Sequence, residues 1–287
     1  MIKNLYNQKK PVLSLEVFPP KKDTDIETIY QTLDALQTLA PDFISVTYGA
    51  GGSTSKKTIE IASYIQNQCK IEAVAHLTCA ELDETSLQIF LDELKEHKVK
   101  NILALRGDIP KHMSPEEFSK RSFTHASDLV SHIRKNPFGS IGGACYPEVH
   151  PEANSAKDDI LMLKKKAESG VDFFVTQLFF DNELYYRFLD NVRDAGIQTP
   201  ISAGIMPITA ASQIRRIVEL SGSSVPSKLA HLVAKYADSN EDMKKAGLEF
   251  ATMQIEDLLK HQSDGIHLYT MNKVDVSQTI FKNLGRI

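Results

Sequence analysis

Residues 101–108 read NILALRGD. Ile102, Leu103, Ala104 and Leu105 form a short apolar run with no polar break, the pattern of a strand covered on both faces. The run stops at Arg106-Gly107-Asp108, with Pro110 just beyond. A charge pair and a glycine at the carboxyl end of a buried parallel strand stand where α/β folds place their chemistry. Alone, the stretch favours a plain turn with an exposed arginine and aspartate. Its layout recurs along the chain, and the repetition decides the reading.

Residues 12–18 (VLSLEVF) are a strand with one charge, Glu16, ended by Pro19-Pro20, which cannot continue a ladder. Residues 23–39 follow with helical spacing at Ile26, Ile29, Leu33 and Leu36. Strand two is 43–48 (FISVTY), ending in Gly49-Ala50-Gly51-Gly52, with helix 59–65 after it. Strand three is 72–78 (EAVAHLT), backed by helical residues 87–94. The opening stretch is strand four, and 126–134 is its helix. Strand five (140–146) leads to helix 156–169, capped by Gly170, and strand six (173–180, FFVTQLFF) to helix 183–195. Strand seven (201–206) precedes helix 210–220, helical segments at 227–236 and 242–259, strand eight (266–269, IHLY) and a last helix, 274–284.

Eight strand–helix alternations in 287 residues match a (β/α)8 TIM barrel, which typically takes about 250. No Pro/Gly/Ser-rich linker divides the chain, so residues 1–287 read as one α/β domain. An open doubly wound sheet would carry a GxGxxG turn after strand one, and Pro19-Pro20 stands there instead. The glycines at 49–52 lack a P-loop Lys-Ser/Thr at the required spacing.

A net charge of -4 argues against a nucleic-acid partner, and Lys164-Lys165-Lys166 reads as one solvated helix face. Cys69, Cys79 and Cys145 are odd in number and form no CxxC, which fits a reducing compartment. The N-terminus lacks an apolar signal core, and no apolar run reaches membrane length. We expect a cytoplasmic homo-oligomer with no membrane partner.

In a barrel the carboxyl ends of all strands meet on one face. That face would collect Glu16, Thr47, Tyr48, His76, Thr78, Arg106, Asp108, Tyr146, Glu148, His150, Gln177 and Tyr269. A lone strand histidine is more often a satisfied core group, and Gln177 fits a hydrogen-bonded core amide. Glu16 is harder to dismiss, because charges are rarely buried without a partner. The metal-hydrolase reading fails on ligand spacing: strand one has no histidine and HExxH is absent. The set suits an organic cofactor, with Arg, Lys and His for phosphates and Tyr, Gln and backbone for rings.

Five segments then resemble one family. Residues 16–20 (EVFPP), 45–50 (SVTYGA), 76–79 (HLTC), 105–108 (LRGD) and 146–153 (YPEVHPEA) look like methylenetetrahydrofolate reductase, and the likeness runs on to residues 269–272 (YTMN). The resemblance implies a flavin barrel holding FAD across the strand ends. Electrons would pass from NAD(P)H to FAD, then to 5,10-methylenetetrahydrofolate. By motif position the FAD contacts fall on Tyr48, Ala50, His76, Arg106, Gly107, Asp108, Ala126, Tyr146, His150, Ala153, Asp159, Lys165 and Lys166. Asp159, Met162, Lys165 and Lys166 lie within two turns of one helix, so one side can face the cofactor. Thr47, Gln177, Tyr269 and Asp108 would meet the nicotinamide or folate, and Glu16 matches the general acid. Apolar neighbours should desolvate Glu16 and raise its pKa, with Asp108 pushing the same way.

Two departures stand out. Family members often carry an aromatic residue on the loop after strand seven, and here 208–212 (ITAAS) has no ring. Lys273 replaces the folate-contacting arginine, keeping the charge but losing the bidentate fork. Larger members append an S-adenosylmethionine-binding domain, and no such control is expected here. A proline-dehydrogenase-like flavin barrel is the competing enzyme reading, and it gives no reason for Glu16 beside a double proline. A barrel kept as a binding scaffold is the non-enzymatic one.

Overall fold

Eight short parallel strands pair in chain order and close into a barrel. They are β1 (Val12–Val17), β2 (Phe43–Val46), β3 (Glu72–Thr78), β4 (Asn101–Leu105), β5 (Ser140–Cys145), β6 (Phe173–Thr176), β7 (Ile201–Ile205) and β8 (Gly265–Tyr269). This computed structural model describes residues 1–20, 25–48, 54–80, 82–109, 113–136 and 138–286. The helices are α1 (Ile2–Gln8), α2 (Ile26–Leu36), α3 (Thr54–Asn67), α4 (Glu84–Glu96), α5 (Pro115–Ser119) and α6 (Ala126–Ile133). After β5 come α7 (Ala156–Glu168), α8 (Asn182–Asp194), α9 (Ala211–Ser221), α10 (Ser227–Lys235), α11 (Asn240–Lys260) and α12 (Val274–Asn283). Among the described residues, no helix is long and apolar enough to cross a membrane.

Strand alternation sorts the apolar residues into two cores. Leu15, Val17, Ile44, Val46, Ala75 and Leu77 face outward and pack with the helices. Phe43, Val74, Leu103, Phe173 and Val175 face inward and fill the barrel. Glycine makes room among them: a Cβ on Gly142 would meet the Phe173 ring at 2.5 Å, and one on Gly204 would meet Thr176 O at 2.4 Å.

The register sets the site. Glu16 pairs with Ser45 on one side and Tyr269 on the other, while Ser14 pairs with His267. Residues on alternate positions of β1 and β8 therefore share the barrel interior.

Three local features depart from the sequence reading. Helix α1 closes the amino-terminal end of the barrel, with Ile2 and Tyr6 packed on Val12, Phe43 and Phe173. Its backbone is tied down by Asn101 and Ser140, and the Tyr6 hydroxyl lies 2.7 Å from Ser202 Oγ. Strand six stops at Thr176 rather than residue 180. Leu178 and Phe180 join a separate cluster with Ile208, Leu229 and Met243, so their apolar character serves helix packing. Helix α5, one short turn fixed by a Ser114–Glu117 capping box, is the third.

Candidate active site

The carboxyl ends of the strands enclose a cavity of about 320 Å³. Glu16, Thr47, Tyr48, His76, Thr78, Gln177 and Tyr269 line it. Its floor is a carboxylate between two imidazoles: His267 Nε2 and His76 Nε2 each stand 3.3 Å from Glu16 Oε2. His267 meets hydrogen-bond geometry with Glu16, whereas His76 Nε2 is buried without a hydrogen-bond partner among the described residues. Behind His267, Ser14 Oγ lies 2.7 Å from Nδ1. With Glu16 ionised, Nε2 carries the imidazole proton and the Ser14 hydroxyl completes Nδ1.

This reverses the expectation for Glu16. Burial does push its carboxyl up, but the His267 hydrogen bond and the adjacent His76 outweigh burial and hold the pKa at about 2. The apolar run of strand one hid the cause, because both imidazoles arrive from other strands. Nor does Asp108 press on Glu16. It is exposed and lines a neighbouring cavity instead.

That second cavity, about 370 Å³, adjoins the first through Leu105, Ala144 and Tyr146. Gly107, at φ +77°, lets the chain turn at the end of β4, and a Cβ there would meet Thr78 Cβ at 2.9 Å. Arg106, Gly107, Asp108, Ala126, Tyr146, His150, Ala153, Asp159 and Lys166 all line this cavity. Arg106 is held by a bidentate pair with Glu152 and has its pKa raised by it. The Lys166 ammonium donates to Ala144 O at 2.7 Å, and burial lowers its pKa from the usual lysine range. Burial raises the Asp159 pKa even though the His150 N–H donates to it at 3.1 Å. Burial and then Arg106 lower that of His150.

A dinucleotide flavin fits these observations. The two cavities share Leu105, Ala144 and Tyr146 as a common wall. One is lined by Arg106, His125, His150 and Lys166, which suit a diphosphate, and the other holds His76 Nε2, without a hydrogen-bond partner among the described residues. Lys166→Met should weaken FAD binding to apoprotein by about 10–100-fold, the worth of one charged hydrogen bond. Fluorescence titration measures it, and unchanged affinity would remove Lys166 from the grip on the cofactor.

A family model described as methylenetetrahydrofolate reductase matches residues 1–285. The chain belongs to the methylenetetrahydrofolate reductase family. The 5,10-methylenetetrahydrofolate reductase of Escherichia coli (strain K12) is 34% identical over 273 residues, covering 95% of this chain and 90% of that protein. Methylenetetrahydrofolate reductase (NADH) 1 of Arabidopsis thaliana is 35% identical over 298 residues, covering 100% of this chain and 50% of that protein. The chain thus spans about half the length of such plant relatives. A Clostridium thermocellum protein solved with two copies of 5-methyl-5,6,7,8-tetrahydrofolic acid shares the fold, with a TM-score of 0.67, 16% identity and coverage of 96% and 95% of the two chains.

Against the residues named from the family motifs, two placements differ and one residue is not described. Lys165 is exposed and lines neither cavity. On α7 the positions that share a side are Asp159, Met162, Leu163 and Lys166, spaced 3, 4 and 7 residues on, and Lys165 is rotated away from them. Lys273 also lies outside both cavities and donates to Thr209 Oγ1 at 2.9 Å. Ala50, with the glycines around it, lies outside the described residues.

The motif reading of this reductase-family chain passed over Ser14, His267 and Glu152. Period-two alternation could have found the first two. Ser14 and Glu16 share a face of β1, as His267 and Tyr269 do on β8. Glu152 carried no signal beyond its place in YPEVHPEA. Tyr269 lines the cavity, yet its hydroxyl is already spent on Thr176 O at 2.7 Å.

Proposed function

We propose that this protein reduces 5,10-methylenetetrahydrofolate to 5-methyltetrahydrofolate with electrons from NAD(P)H, using FAD in a ping-pong sequence. The observation that carries the reading is the Glu16 carboxylate between His267 and His76 at the floor of a cavity open to the cofactor groove. FAD, when bound, supplies the hydride relay between the nicotinamide and the folate methylene carbon.

The protein's own part is acid chemistry. Opening the five-membered ring breaks a carbon–nitrogen bond, and the departing nitrogen needs a proton. Glu16 is the acid nearest that role, but it is ionised in the free protein. The proton it delivers is therefore one that the carboxylate takes up from solvent through the open cavity as the folate binds, while the His267 hydrogen bond orients the carboxyl and Ser14 holds the far side of that ring. Desolvation by a bound pterin pushes the Glu16 carboxyl back up and favours that uptake. Gln177 accepts the Leu178 N–H through Oε1, which leaves its NH2 as the donor on this wall.

Asp108 acts at the groove. A carboxylate beside the flavin disfavours added negative charge and lowers the flavin potential, and it can accept hydrogen bonds from a pterin. Asp108→Asn should raise the midpoint potential, speed flavin reduction by the nicotinamide and slow folate reduction. Equal slowing of both half-reactions would make Asp108 structural only.

Initial rates at varied NAD(P)H and folate test the whole reading. Parallel double-reciprocal lines are expected, and lines that intersect would exclude the ping-pong sequence.

A further inference from the structure

We infer that Asn272 is a positioning residue that locks the turn after β8 to the end of β1, fixing Glu16 and Lys273 relative to one another. The inference rests on the folate-reducing role proposed for Glu16. The regular ladder between β1 and β8 ends at Glu16 and Tyr269. Pairing nevertheless continues past that point, through the Thr270 backbone and hydroxyl and then through the Asn272 side chain. The Thr270 N–H and hydroxyl both donate to Glu16 O, at 3.3 and 2.6 Å. The Asn272 carboxamide then accepts the Phe18 N–H at 3.1 Å and donates to Phe18 O at 2.9 Å. One side chain thus substitutes for a whole peptide group of a neighbouring strand.

The backbone is bent to allow this. Met271 and Asn272 are consecutive non-glycine residues at φ 52° and 55°, the left-handed region that only asparagine and aspartate enter with ease. Such strain persists where surrounding contacts over-determine it, and it concentrates at functional sites. Here the turn is held from within, by the Asn272 N–H on Thr270 Oγ1 at 3.1 Å and the Lys273 N–H on Thr270 O at 2.9 Å. Its outcome is the placement of Lys273, whose ammonium reaches across to Thr209 on the loop after β7. The acid on β1, the cation after β8 and the rim after β7 are therefore set by one clamp.

Asn272→Gly tests this, because glycine adopts positive φ freely and removes only the carboxamide. Hydrogen exchange at Phe18 should quicken by about tenfold, the loss expected for one hydrogen bond. Folate reduction should fall by about 10–100-fold, as for a misplaced reacting group, with flavin reduction by NAD(P)H unchanged. Asn272→Asp keeps the acceptor and the turn but loses the donor, so it should slow folate reduction less while the fold is retained. Unchanged exchange at Phe18, or equal slowing of both half-reactions in both variants, overturns the inference. A wild-type protein that binds FAD yet reduces no folate overturns the functional reading, and the catalytic part of this inference with it.

Discussion

Glu16→Gln slows folate reduction by about 10²–10⁴-fold, the usual worth of a general acid, and leaves FAD binding and flavin reduction by NAD(P)H close to wild type. Gln keeps the shape and a hydrogen-bond acceptor for His267 but has no proton to pass on. Stopped-flow measurement of the two half-reactions separates them, and wild-type folate reduction would remove Glu16 from the chemistry. The same substitution carries a stability signature. The folded pKa of Glu16, about 2, lies below its ordinary 4.5, so between those values the unfolded chain binds more protons. The stabilisation from ionised Glu16 is thus complete above about pH 4.5 and is lost as pH falls toward 2. Unfolding curves of wild type and Glu16→Gln should converge on acidification through that window.

Phe173→Ala destabilises the barrel by about 3–5 kcal/mol, the range for emptying a buried aromatic site. The ring is fully buried, stacks on Tyr6 at 5.8 Å between centroids and meets Phe43 at 5.7 Å. Collapse around the void is hindered, since Gly142 beneath has no side chain to move in and the strands are fixed by their ladders. Denaturant titration reads the loss, and a change below about 1 kcal/mol would mean that the interior layer repacks.

Much of this was legible from residue order. NILALRGD and its seven counterparts set a barrel, because short apolar runs ended by polar or glycine residues alternate with helical spacing. Convergence of Glu16, His76, Gln177 and Tyr269 followed from barrel closure alone, and the structure brings all four to one cavity. The charge state of Glu16 was not legible. It depends on which imidazoles cross the barrel at the same height, which is a matter of register between β1, β3 and β8. Strand six was overread because a run of aromatic residues looks alike in a strand and in a loop packed under helices. The α1 plug went unseen, since seven residues carry too short a period to announce a helix. Lys165 and Lys166 are adjacent in sequence, and only the helix rotation separates them.

The central claim is most directly tested by an anaerobic absorbance experiment on the purified protein loaded with FAD. Stoichiometric NADH or NADPH should bleach the flavin band, and 5,10-methylenetetrahydrofolate added afterwards should restore it with formation of 5-methyltetrahydrofolate. A flavin that bleaches but stays reduced after the folate is added would contradict the account.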